Sequence, residues 1–304
     1  MEVWQFIQST FKRTNKNWIL IIVEFVSGII MVALILIGIA IPALIMVVPA
    51  FLGDVETEEF LPYIAENVVL VLLGVLIFLI FLLAGLWLWA FITGGVRSML
   101  LDSILKEKQF EFKTFIKYCK KFVGRIIGLW SIIGLIYCGI FVILGGIAGV
   151  LVFFSIGMYE SSEAGALLLG IFGGGLIFLV LLIIGFLFGV FAAIANTYLI
   201  VEDAQVGDSL RGSLRFIKAH PGHTFLVVFL LMGIGFVVGM AFAILTMPIR
   251  VIPYIGAMFS LILSPIQMAL NLYISLFGAV AYLLFYLWKQ KRLGSDFQTV
   301  IAPE

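Results

Sequence analysis

Charge is what this chain lacks most: 12% of its 304 residues are charged and 63% are hydrophobic, where an ordinary soluble domain carries roughly 25% charge. That balance excludes a soluble globular protein and defines an integral membrane protein. Net charge is only +1, and no basic domain stands apart from the apolar runs, which argues against a nucleic-acid partner. Cysteine is scarce too. Cys119 and Cys138 are the only two, and on one continuous helix they would lie about 28 Å apart, beyond disulfide reach. Neither fits a metal or redox spacing.

The two histidines, His220 and His223, flank Pro221 and Gly222, with Glu202 and Asp203 nearby in sequence. A catalytic zinc takes three protein ligands in tighter geometry, so the stretch reads as a helix stop instead. No nucleophile elbow, phosphate-binding lysine loop, HExxH or paired CxxC is present. No cofactor or metal is expected, and the chain reads as non-enzymatic. The N-terminal "MEVWQFIQSTFKRTNKNW" lacks the short apolar core and cleavage site of a secretory signal, so the run after it is expected to stay as a first span.

What is present is long and apolar. Six stretches carry no Asp, Glu, Lys or Arg: 25–53, 67–96, 126–159, 164–201, 221–249 and 251–288. Each exceeds the roughly 20 residues that cross a 30 Å hydrocarbon core. The expected fold is all-α: a bundle of six transmembrane helices with three basic amphipathic interfacial helices. Pro42, Pro49 and Pro265, with Gly170, Gly173, Gly174 and Gly175, mark the expected bends. Basic residues set the orientation, for 17 of 18 lie before span one, between spans two and three, between four and five, or after six. Arg250 alone lies opposite, with Asp54, Glu56, Glu58, Glu59, Glu66, Glu160 and Glu163. Both termini are therefore expected in the cytoplasm, in the cell membrane.

A basic amphipathic segment precedes each odd-numbered span: "VWQFIQSTFKRTNKNW", "FKTFIKYCKKFVGR" and "DSLRGSLRFIK". In the first, Phe6, Ile7 and Phe11 oppose Lys12, Arg13 and Lys16; in the third, Leu210, Leu214 and Ile217 share one face, with Asp208 or Ser209 as cap. All three read as helices in the headgroup plane with Lys and Arg toward phosphate. Their spacing of about a hundred residues predicts one membrane domain over 1–304, built of units 1–96, 97–201 and 202–289 and a tail over 290–304. Lys113, Lys117, Lys120, Lys121, Arg211, Arg215 and Lys218 are the expected headgroup contacts, each worth about 1 kcal/mol near a charged leaflet.

Glu24 lies inside an apolar run and is a candidate intramembrane site, against the plainer reading that it pairs with a Lys or Arg of an interfacial helix. Gln267 and Asn271 share a helix face just after Pro265 and make up the rest of a candidate polar path; ordinary interhelical hydrogen bonding is the plainer reading. Three small-residue pairs, Gly124 with Gly128, Gly185 with Gly189 and Gly235 with Gly239, predict close helix approach.

The stretch "FAAIANTYLIVEDAQVGDSLRGSLRFIKAHPGHTFLVVFLL" resembles a block in polytopic membrane proteins related to the membrane domain of glycerophosphodiester phosphodiesterases. There an apolar helix ends in an acidic residue, and a short turn leads to an "SL..SL" helix and a new span. The C-terminal "SPIQMALNLYISLFGAVAYLLFYLWKQKR" is similar to the last span of the same group. The resemblance implies the membrane architecture without the phosphodiesterase activity, because this chain is expected to carry no catalytic domain after its last span. The expected role is membrane organisation, lipid handling, or an integral subunit of a larger assembly, with a small-solute or lipid transporter as the alternative. Its partners are then membrane lipids, with a second copy or another membrane protein as the protein partner.

Overall fold

The computed structural model describes residues 3–52, 67–159, 162–250 and 255–293. Among them are eight helices and no strand: α1 Val3–Lys16, α2 Trp18–Leu52, α3 Val68–Lys106, α4 Phe112–Tyr159, α5 Glu163–Val201, α6 Val206–Ala219, α7 Pro221–Arg250 and α8 Ile255–Lys289. Six of these, all but α1 and α6, are long and apolar enough to cross a membrane. The expected six-span all-α class is therefore what the chain forms. Asp54, Glu56, Glu58, Glu59, Glu66 and Glu160 lie outside the described residues, as does the tail beyond 293.

The helices run on at the positions where bends are expected. Helix α2 continues through Pro42 and Pro49, α5 through its four glycines, and α8 through Pro265. Several helices are longer than one crossing requires, α4 most plainly. Its 48 residues make a rod of about 72 Å, more than twice the hydrocarbon thickness. The second basic segment is thus no separate helix but the first turns of α4, and Lys113 stands about 18 Å along the axis from Arg125.

Packing is one-sided. The core gathers at the end holding the basic residues, called here the basic end, from Phe6, Leu20, Leu100, Phe115, Ile194, Phe216 and nearly every residue of Leu276–Leu287. Helix α8 is central there and touches α1, α2, α5 and α7. The far halves of α4, α5 and α7 leave Ile143, Phe153, Phe172, Leu176, Phe236 and Leu245 more than 60% exposed. Since lipid tails are as apolar as these side chains, no hydrophobic force draws such helix surfaces together within a bilayer.

The short helices bury a different face from the one the apolar pattern suggests. In α1 the buried stripe is Phe6, Thr10 and Thr14, while Trp4 and Phe11 are exposed. In α6 it is Ser209, Ser213 and Phe216, while Leu214 is exposed. The reason is hydrogen bonding. Thr10 Oγ1 donates to the Phe6 carbonyl at 2.8 Å and Thr14 Oγ1 to that of Thr10 at 2.8 Å. Ser213 Oγ donates to Leu210 O at 2.9 Å and Ser209 Oγ to Ala195 O of α5 at 2.6 Å. A small hydroxyl satisfied this way can be buried and lets helices approach closely, which in an apolar solvent outweighs hiding leucine. It also corrects the expected cap: α6 starts at Val206 after Gln205, and Ser209 is spent on α5. Pro221 opens α7, where a missing N–H costs nothing.

Glycine contacts depart from expectation too. Around Gly124, Gly189, Gly235 and Gly239 a Cβ would meet nothing within 4 Å. Of the expected pairs only Gly128 and Gly185 are tightly packed, where a Cβ would stand 3.2 Å from Val206 and 3.3 Å from the Tyr137 hydroxyl; the closest approaches are at Gly94, where it would stand 3.0 Å from that of Phe122, and at Gly95, where it would run into Cys119 and Phe115. Gly94 and Gly95 seat α3 on α4.

Candidate functional site: an ion-lined cavity within the bundle

Three helix stripes converge between α2, α3 and α8. Glu24, Ser27, Gly28 and Met31 lie on one face of α2; Trp89, Thr93 and Arg97 follow each other at four-residue steps on α3; Leu272, Ser275 and Ala279 face them from α8. They enclose a cavity of about 230 Å³, whose remaining wall is apolar and includes Leu88 and Ile92. Because Gly94 and Gly95 turn one side of α3 onto α4, its Thr93 and Arg97 side is left for this cavity.

Glu24 and Arg97 are the two charged residues that line it. No ion pair within 4.0 Å joins them among the described residues, and Glu24 Oε2 is buried without a hydrogen-bond partner. The Ser27 hydroxyl donates to the Glu24 carbonyl at 2.9 Å, which leaves its oxygen free to accept. By position, Glu24 lies about 9 Å along α2 from Trp18, and Arg97 about 14 Å along α3 from Lys106. Both lie on helices long and apolar enough to cross a membrane. Sequence reasoning misses Arg97 as a site residue because a charge-free run ends span two at Val96; the helix runs ten residues further. A signal does exist, in one cation flanked by "FITGGV" and "SMLL". The expected pairing of Glu24 with a basic residue of an interfacial helix is not found among the described residues; the cation that shares its cavity is Arg97 of α3.

Gln267 and Asn271 are exposed and do not line the cavity, whereas their neighbours Leu272 and Ser275 do. The candidate path through all three residues is thus reduced to Glu24. Asn196 is 1% exposed, and neither of its amide atoms has a partner.

A second polar region lies on the basic end. Asp208, Arg211, Arg215, His220, Tyr198 and Gln290 border an open cleft of about 440 Å³ between α5, α6 and the end of α8. Gly212 makes it by letting α6 lie against the Tyr198 ring. Burial and then Lys289 hold the His220 imidazole below its ordinary value. Lys218 is exposed on α6, and Lys113, Lys117 and Lys120 are exposed along the first turns of α4. Lys121 is differently engaged: it pairs with Asp203 at 2.6 Å, and Arg125 pairs with the same carboxylate at 2.7 Å. Their attraction, led by the Lys121 hydrogen bond, holds the Asp203 carboxyl below the usual carboxylate range. Asp203 has φ 51°, and Ala204 N–H returns to Leu199 O at 3.0 Å, a helix ending that needs a left-handed residue. Neighbouring Glu202 accepts from Tyr286 and Arg292, each at 2.9 Å. The α5–α6 turn is thereby clamped to α4 on one side and α8 on the other. Left-handed residues also follow α3 and α8, at Glu107 and Lys291, so all three even-numbered spans end alike.

The six helices long and apolar enough to cross a membrane define a multi-pass α-helical membrane protein. Residues 83–287 match the model of a domain of unknown function, DUF7847, and the chain belongs to that family. The matched segment contains Arg97 and the α8 wall of the cavity, while Glu24 precedes it. No curated protein and no solved structure matches the chain.

Proposed function

We propose that this is a non-enzymatic membrane protein that handles lipid at the leaflet facing its basic end, which we place in the cytoplasm. One observation carries the reading: the bundle is closed and charged at one end and spread at the other. Exposed Lys113, Lys117, Lys120, Arg211, Arg215 and Lys218 ring the closed end, and unpacked apolar surfaces of α4, α5 and α7 extend from it. Phospholipids match both parts, with anionic headgroups at the ring and chains along the far halves. Lys121 contributes less, being held by Asp203.

The test is lipid retention by the purified full chain, read by native mass spectrometry against an unrelated six-span protein. Retention of anionic phospholipid above that control is expected, with a several-fold drop on replacing Arg211, Arg215 and Lys218 by Gln. Equal retention by the chain and the control contradicts the reading. The solute-transport alternative draws support from the cavity at Glu24 and predicts uptake that stops in Glu24→Gln.

A further inference from the structure

We propose that the Glu24–Arg97 cavity binds a ligand carrying an ammonium group and an anionic oxygen group a few ångströms apart, the chemistry of an aminophospholipid headgroup. This deepens the lipid reading above and rests on it for the source of the ligand.

The starting point is a mismatch. Two opposite charges inside an apolar layer gain most by touching, since burying an ion without a close partner costs several kcal/mol. Here both line one cavity with no ion pair between them within 4.0 Å, and the carboxylate keeps a buried oxygen with no donor. A group that fills the space and completes both sides resolves this. A lone inorganic cation would meet Glu24 and be repelled by Arg97; a lone phosphate would do the reverse. A zwitterion satisfies both, its N–H donors turned to Glu24 Oε2 and its phosphate to the Arg97 guanidinium, whose planar fork suits phosphate oxygens.

The rest of the cavity fits the same ligand. Ser27, Thr93 and Ser275 add hydroxyl-bearing residues to the lining, and Met31, Leu88 and Leu272 add apolar ones. A volume of about 230 Å³ holds several waters or one headgroup-sized moiety. Since Glu24 Oε2 needs a donor, a primary ammonium is preferred over a quaternary one.

The experiment uses the full chain in detergent with phosphatidylethanolamine, phosphatidylcholine or phosphatidylglycerol, read by native mass spectrometry, for wild type, Glu24→Gln, Arg97→Gln and Arg97→Lys. A parallel arm measures thermal stabilisation by soluble phosphoethanolamine and by glycine. Wild type is expected to retain phosphatidylethanolamine at least tenfold better than phosphatidylcholine, while phosphatidylglycerol, held at the basic end, should be retained equally by wild type and Glu24→Gln. Glu24→Gln and Arg97→Gln should both lose that preference, and Arg97→Lys should keep part of it, which covers the case that Arg97→Gln does not fold. Stabilisation by the soluble zwitterions alone, lost in Glu24→Gln, supports the site and assigns it to a free ligand. Unchanged preference in Glu24→Gln, or no binding of lipid or soluble zwitterion, overturns the proposal and leaves a water-filled gap. Anionic-lipid retention through Arg211, Arg215 and Lys218 would survive that result, so the failure of the site and of the lipid reading are separable.

Discussion

Removing either charge of the Glu24–Arg97 pair should cost stability, and removing both should cost much less than the sum. At 4 Å and an effective dielectric of 20, two unit charges attract by about 4 kcal/mol. The absence of an ion pair within 4.0 Å makes that a ceiling. A coupling of about 1 to 3 kcal/mol is therefore expected from the double-mutant cycle of Glu24→Gln and Arg97→Gln. Each single variant leaves its partner's charge in the cavity with no counter-charge, so each should be less stable than the double variant. The assay is reversible unfolding of the full chain in mixed micelles at neutral pH. Additive single effects, with coupling below about 0.5 kcal/mol, would show that the two groups do not share one electrostatic site, and the reasoning about the cavity would fall with it.

Other parts of the structure make separate predictions. Gly95→Leu should destabilise by at least about 1 to 3 kcal/mol, the range for overpacking, because its first added carbon already meets Cys119 and Phe115; Gly235→Leu, with open space around it, should be close to neutral in the same unfolding assay. Ser209→Ala removes the buried bond to Ala195 O and leaves that carbonyl without the hydroxyl, so a loss of about 1 to 2 kcal/mol is expected in thermal melts. Asp203→Asn should cost about 1 kcal/mol at neutral pH, since both ion pairs are partly solvated. The pH dependence has a definite sign: with its folded value depressed, Asp203 contributes fully above the ordinary aspartate value near 3.9 and loses that contribution as pH falls through the folded value. Wild type and Asp203→Asn should accordingly converge in melting temperature below about pH 4, and a constant gap down to about pH 2 would count against the clamp.

The spans are legible in the sequence because a charge-free run longer than the bilayer is thick can hardly be anything but a membrane crossing, and Glu24 is legible because it interrupts one. The same rule hides Arg97. Ending each span at the first charge treats every cation as a boundary, yet α3 carries Arg97 inside and continues to Lys106, and a carboxylate on α2 shares the cavity with it. The buried faces of α1 and α6 are not legible for a related reason. Period and polarity separate apolar from basic residues, whereas the faces that meet protein are the threonine and serine stripes, and Phe11 and Leu214 are left exposed. Nor can the pattern of "FKTFIKYCKKFVGR" show whether it breaks from the following span. No proline separates them, and the helix stays continuous through Gly124. The cavity itself depends on three distant stripes, from α2, α3 and α8, and their convergence is a property of packing that no single stretch displays.

The most direct test of the lipid account is to let a lipid report its own position. A phosphatidylethanolamine with a photoreactive group at the top of one acyl chain, irradiated with the full chain in bilayers, should label the peptides spanning residues 24–31 and 88–97, with labelling reduced by excess phosphatidylethanolamine and by Glu24→Gln. Labelling confined to the exposed far halves of α4, α5 and α7, and unchanged in Glu24→Gln, would contradict it.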